Sequence, residues 1–224
     1  MMDSALQFSS DIAWLQLLQL ADSALPIGAA AHSFGIESLV AESGLSERGL
    51  HGFFSGWLSG TGRLEAAFCL RASAVTNQQE WELLNTDLSS FKPARESREA
   101  SLRLGKRFLA LAAGLIRQPG LEHRGDAHLA TAFGLSGAAL DLRPSLVAAA
   151  YLHQAVFGAI SVCQRLLPFG QSSAMQLLWR LKADIVQTVE TAATATNDEL
   201  WNPQPMLEIA SMRHPHLSTR LFIS

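Results

Sequence analysis

Apolar positions recur at helical spacing through most of this chain, and strand-like alternation of useful length is absent. Ile12, Leu15, Leu18 and Leu20 fall on or near one face of a helix that Asp11 can cap and that runs to about Ala21. The chain then breaks at Leu25-Pro26-Ile27-Gly28, because Pro26 fixes φ and lacks an N–H while Gly28 admits backbone angles other residues avoid. Small residues follow, then His32, and a short helix from Ser33 to Val40 that carries Glu37 and closes at Glu42-Ser43-Gly44.

Further helices are predicted along the chain. Ser46 can cap one running through Leu50, Phe53, Phe54, Trp57 and Leu58; Gly49, Gly52, Gly56 and Gly60 weaken it and call for a tightly packed neighbour. Arg63–Val75 continues as helix, and Thr76 or Asn77 caps Gln78–Leu88. Pro93 introduces the longest polar-faced helix, Ala94–Arg117, ended by Pro119-Gly120. Its pairs Arg95/Glu99 and Glu99/Arg103 suit a solvated face, or a docking face for an acidic partner. Asp126–Leu140 contains His128, and Ser172 or Ser173 caps a long helix to about Thr196. Pro203-Gln204-Pro205 marks a linker, Met206–Met212 a short helix, and the last twelve residues read as extended. The expected class is all-α: one compact domain over 1–224, about ten helices, with residues 206–224 as a docking helix and tail.

Composition sharpens this. Charged residues make up only 17% of the chain against 48% apolar, so little charged surface is available and permanent partner contacts or self-association are favoured. A net charge of -3 without a basic stripe gives no reason to expect nucleic acid. Between Arg143 and Arg165 no charged residue occurs, a length that could span a bilayer; His153, Gln154, Ser145 and Ser161 and the abundance of alanine favour a buried helix at a core or subunit interface. Cys69 and Cys163 read as small core residues in a reducing compartment, and the N-terminus, with Asp3 and Asp11, has no basic leader region.

Chemistry-bearing patterns are few. Gly105-Lys106 lacks the other residues of a phosphate loop, and no nucleophile elbow, zincin helix, metal-spaced cysteine pair or di-iron motif is found. His32, His51, His123, His128 and His153 are scattered. His214-Pro215-His216, beside Met212, is the one close pair, and chelation by it requires a turn, since alternate residues of an extended segment diverge. The tail, Leu217 to Ser224, places Leu221, Phe222 and Ile223 beside the C-terminus around Arg220, a pattern that suits docking onto its own domain or a partner.

Motifs in order along the chain resemble the urease accessory protein UreF family: Leu20-Ala21-Asp22-Ser23-Ala24-Leu25-Pro26-Ile27-Gly28-Ala29 with Ser33-x-Gly35-x-Glu37; Arg95-Glu96-x-Arg98-Glu99-Ala100-Ser101 with Gly105; His128 with Phe133-Gly134; Arg165-Leu166-Leu167-Pro168-Phe169-Gly170-Gln171; and Ser211-Met212-x-His214 with Arg220-Leu221-Phe222-x-Ser224. The resemblance implies a helical, cytoplasmic homodimer without catalysis. It would bridge the UreD (UreH) scaffold and the UreG GTPase in the assembly that delivers nickel to apo-urease, whose active-site lysine becomes carbamylated. No cofactor would be held tightly, and nickel would be handled by the complex.

On this resemblance Met212, His214, Arg220, Leu221 and Phe222 are the partner-binding candidates, ordered when a partner binds, and Pro26, Gly28, Gly35 and Glu37 form a structural joint. Two departures stand out. Ala30-Ala31-His32-Ser33 replaces a Phe-Ser-Tyr-Ser common in the family, and Pro215 stands where a glutamate commonly follows the histidine. Two other readings differ in class: a metallochaperone holding nickel on His214 and His216, and an all-α enzyme with a pocket at His32 and Glu37.

Overall fold

The helical periodicity becomes eleven α-helices in a computed structural model that describes residues 2–118, 120–121, 124–200 and 205–223. Pro119, His123, the Pro203-Gln204 part of the expected linker and Ser224 lie outside the described residues. The helices are α1 (Met2–Leu20), α2 (Ile36–Ser43), α3 (Leu50–Trp57), α4 (Arg63–Ala72), α5 (Gln78–Ser90), α6 (Arg95–Ile116), α7 (Leu129–Ala139), α8 (Pro144–Leu166), α9 (Gln171–Arg180), α10 (Lys182–Ala193) and α11 (Pro205–Arg213). No strand occurs among the described residues.

Helices α4 and α7 form the centre. Helix α4 packs against α5, α7, α8 and α10, and α7 also packs on α6 and α8. Every residue from Ala130 to Gly137 of α7 is buried, as is the run Leu64–Cys69 of α4. Side chains as small as those of α7 let backbones meet. A Cβ on Gly134 would lie 2.0 Å from the Cys69 carbonyl oxygen, and one on Gly105 of α6 would lie 2.0 Å from that of Ala127. Phe108, Phe133 and Tyr151 fill the space beside these crossings as a run of ring contacts at 5.2 and 5.6 Å.

Helix α8, without charge until Arg165 in its last turn, is long and apolar enough to cross a membrane. Here it packs against α2, α4, α7, α9 and α10 and buries Val147, Ala148, Tyr151, Leu152, Val156, Ile160 and Cys163. Its other face is only half-buried, so it flanks the core rather than occupying its centre. Absence of charge reports apolar surroundings, whereas close approach is set by side-chain size, which is why α7 takes the central place.

Several boundaries differ from the expectations. Asp11 lies inside α1 rather than at its start, and of the predicted apolar face only Leu20 is buried: Ile12, Leu15 and Leu18 are exposed, and Leu17 turns inward instead. The second short helix starts at Ile36, because Phe34 and Gly35 both adopt positive φ. Ser46 precedes a 3-10 turn without a side-chain cap bond, and α3 passes through a π turn, Leu58–Gly62, into α4. Gly52 has nothing within 4 Å of where a Cβ would stand, so close packing does not explain that glycine. Helix α7 begins after His128, not at Asp126. The expected long helix after Ser172 is capped instead at Gly170 and divided at Leu181, whose fully buried side chain turns into the core between α9 and α10. Asn77 does cap α5, its side chain accepting from Glu80 N–H at 3.0 Å.

Candidate functional site

The Pro-Gly break and the C-terminal tail, at opposite ends of the sequence, meet. Gly28 and Gly35 each have φ of 87°, in the left-handed region that a glycine adopts freely. At Gly28 a Cβ would stand 2.8 Å from the Arg107 guanidinium, which donates to the Ile27 carbonyl at 3.2 Å. Pro26, at the surface, sets the direction of entry into the buried Ile27. At Gly35 a Cβ would stand 2.7 Å from Ser211 Oγ and 2.9 Å from the Leu207 carbonyl oxygen, so α11 lies directly on this glycine. Glu208 fastens the same helix to α6 by accepting from the Ala94 N–H at 2.9 Å.

Two residues on from Gly35, the carboxylate of Glu37 is buried in the first turn of α2, where helix N–H groups favour negative charge. It is the convergence point of the tail. His214 Nε2 lies 2.7 Å from Oε2, the Leu221 N–H donates to Oε1 at 2.6 Å, and the Phe222 N–H donates to Oε2 at 3.3 Å. The Ile223 N–H then donates to the Ala31 carbonyl at 2.8 Å. Phe222 turns inward, its ring 4.3 Å from the Arg165 guanidinium, and Arg165 also donates to the Ala30 carbonyl at 3.2 Å. Leu221 and Ile223 point outward with 59% and 62% exposure. Arg220 is exposed too, as are Met206, Ile209 and Met212 along the outer face of α11.

The partner-binding candidates therefore divide. Met212, Arg220 and Leu221 present side chains to solvent, whereas His214 and Phe222 are spent on the chain itself. The segment expected to be extended throughout starts as a 3-10 turn, His214–His216, stiffened by Pro215. That turn does not bring the two imidazoles to a common ligand position: His214 is fully buried on Glu37, and His216 is exposed. Among the described residues no group of three His, Cys, Asp or Glu side chains is placed to hold a metal ion.

His32 and Glu37 do not converge on a cleft either. His32 is buried with its ring 5.8 Å from that of Phe34, and burial, then Arg103 and Arg107, lower its pKa. Two open clefts, one lined by Val75, Leu121 and Arg124 and the other by Ser55, Arg63 and Asp184, include neither residue. Acid–base work needs the groups beside a space that admits substrate. Their arrangement is that of a packed joint.

Comparison with known proteins places this geometry. The UreF family model matches residues 45–182, more than half of the chain. A urease accessory protein UreF of Picosynechococcus sp. is 34% identical over 94% of this chain and 99% of its own length. The chain belongs to the UreF family. Similar relatives bearing the same description occur in Nostoc sp., at 32% identity over 96% of this chain and 97% of the relative, and in Paenarthrobacter aurescens, at 33% over 94% and 97%. A role in urease maturation follows from that membership.

Within the stretch matched by the UreF model, the motif residues do structural work. His128 precedes α7 and its carbonyl accepts from the Ala132 N–H at 2.9 Å; its ring is held by Ser89 Oγ at 2.9 Å and Ser101 Oγ at 3.0 Å, and its backbone N–H donates to Asn85 Oδ1 at 2.8 Å. Thr131 Oγ1 donates to the same Asn85 oxygen at 2.7 Å. Burial chiefly, and then Lys92 and Arg98, push the His128 pKa down to about 3, so this network holds a neutral imidazole. Beside it, Glu65 receives the Lys92 ammonium and, at 2.6 Å, the Tyr151 hydroxyl. Sequence reasoning missed Glu65 and Lys92. The signal was present: a lone carboxylate inside Leu64-Glu65-Ala66-Ala67-Phe68 must be paired if that run is buried.

Proposed function

We propose that this chain is a non-catalytic maturation factor, cytoplasmic and homodimeric, that bridges the UreD (UreH) scaffold and the UreG GTPase. In that assembly it governs when the GTPase acts, while nickel is passed to apo-urease by the complex and no cofactor is held tightly by this subunit. The observation that carries the reading is the seated tail. An apolar C-terminal segment is folded back so that Leu221, Ile223 and Arg220 face outward next to the exposed Met206, Ile209 and Met212 of α11. Large apolar side chains so held at a surface, beside a planar multidentate cation, suit a protein partner better than solvent.

The test is assembly. Co-expression with the other accessory proteins should yield a complex containing scaffold and GTPase, and urease should be activated only when this chain is present. Arg220→Ala is expected to fold normally and keep the scaffold while losing the GTPase. Undiminished GTPase recruitment by that variant would remove Arg220 from the docking surface. A wild-type chain that captures neither partner would overturn the bridging role.

A further inference from the structure

We infer that Glu37 is the positioning residue for the GTPase-docking surface: its carboxylate, a part of the second helix, shapes the C-terminal tail that the partner meets. The inference rests on the proposed docking role of the tail and adds the residue that controls it. Three donors from the tail region converge on this one side chain, namely the His214 ring and the Leu221 and Phe222 N–H groups. A carboxylate oxygen accepts from more than one donor, and hydrogen bonds to a charged acceptor are about twice as strong as neutral ones. The tail has no regular structure to satisfy the two N–H groups otherwise.

The consequence is directional. Anchoring consecutive amides at 221 and 222 sets the alternation that turns Phe222 onto Arg165 and leaves Leu221 and Ile223 outside. Glu37 itself is buried, only 5% exposed, and cannot form the contact directly. Gly35 and Ser211 on one side and Glu37 and His214 on the other fix the register of α11 against α2, so the outward row of α11 and the outward tail residues are held as one surface. Arg220 offers its guanidinium from that surface; Glu37 determines where the surface is.

The experiment compares Glu37→Gln, Leu221→Pro, Leu221→Ala and Arg220→Ala in the full-length chain. Hydrogen exchange is read across 217–223 and across α2, α4 and α7, and GTPase affinity is read in the presence of the scaffold. Glutamine keeps the shape but replaces one of the two acceptor oxygens by an NH2 group, so at least one tail donor faces an N–H, and it removes the charge from the remaining acceptor. Proline at 221 removes one anchored N–H from the tail side and leaves Glu37 and the core untouched; alanine keeps that N–H. Glu37→Gln and Leu221→Pro are expected to speed tail exchange by roughly tenfold or more and to weaken GTPase binding at least as far, with α2, α4 and α7 protected as in the wild type. Leu221→Ala and Arg220→Ala should leave tail exchange unchanged, whatever they do to affinity. Unchanged tail exchange in Glu37→Gln and Leu221→Pro overturns the inference, as does a freed tail with undiminished GTPase affinity. Loss of protection throughout α2, α4 and α7 in Glu37→Gln would make Glu37 a folding residue; Leu221→Pro then decides alone. If the wild type fails to bind the GTPase, the docking reading fails, while the exchange data still report whether Glu37 holds the tail.

Discussion

The Arg165 guanidinium lies 4.3 Å from the Phe222 ring and reaches past it to the Ala30 carbonyl, so one side chain of α8 clamps the tail against the stretch after the Pro-Gly break. Arg165 belongs to α8 and keeps its backbone place whatever the tail does. Arg165→Lys retains the charge but loses the flat stacking surface and the fork geometry. A cation–π contact of this kind contributes about 0.5–2 kcal/mol. The variant should therefore raise exchange at 221–223 severalfold and leave thermal unfolding of the helical core within about a degree of the wild type. A large drop in core stability would show that Arg165 supports α8 instead.

Two glycines predict opposite outcomes for the same substitution. Gly52 is at an exposed position of α3 with nothing within 4 Å of a new methyl group, so Gly52→Ala should stabilise the protein by about 0.5–1 kcal/mol through helix propensity. Gly134→Ala would put its methyl 2.0 Å from the Cys69 carbonyl oxygen, forcing α4 and α7 apart. Overpacking of this sort destabilises by about 1–3 kcal/mol, and here backbone must yield, so the upper end or beyond is expected. Denaturant melts of the two variants give both signs in one experiment.

Much of this was legible in the sequence because helical periodicity, proline and glycine are local signals. The class, a long helix just after Pro93, the Asn77 cap and the break at Pro26 follow from them. The joint at Gly35 and Glu37 and the seating of an apolar tail on its own domain were also readable, each separately. Their meeting was not, since nothing local to Glu37 says that Leu221 and His214 will reach it. The same non-locality hid the reason for His128, whose partners Ser89 and Ser101 come from two other helices. His214 and His216 looked like a pair because they are neighbours in sequence; burial of one and exposure of the other separates them.

The Glu65–Lys92 pair predicts strong asymmetry between single and double substitution. Both side chains are nearly buried, at 11% and 7% exposure, and Tyr151 donates its hydroxyl to the same carboxylate. Lys92→Met leaves that carboxylate without its cation and should destabilise by about 3–5 kcal/mol. Glu65→Gln together with Lys92→Met removes both charges and keeps an acceptor for Tyr151, so most of the loss should return. Urea denaturation of the four members of the cycle checks this. A double variant as unstable as the single one would mean that packing around Lys92, rather than charge pairing, dominates.

The buried His128 predicts acid sensitivity with a definite sign. Its folded pKa, lowered to about 3 mainly by burial, lies below the ordinary histidine value of 6.5. Above that ordinary value both folded and unfolded chains hold it neutral, and it contributes no slope. As pH falls from there towards 3, the unfolded chain binds a proton that the folded chain refuses, so stability declines by up to about 1.4 kcal/mol per pH unit. His32 and His153, both also lowered by burial, steepen the decline in the same direction. In His128→Gln the loss of the Ser89 and Ser101 bonds lowers stability at neutral pH, but the slope between pH 6 and 4 should become shallower by most of one proton. The slope, measured from urea midpoints across that range, is the quantity that separates titration from packing. An unchanged slope would show that His128 is protonated in the folded protein and that another group sets the acid limit.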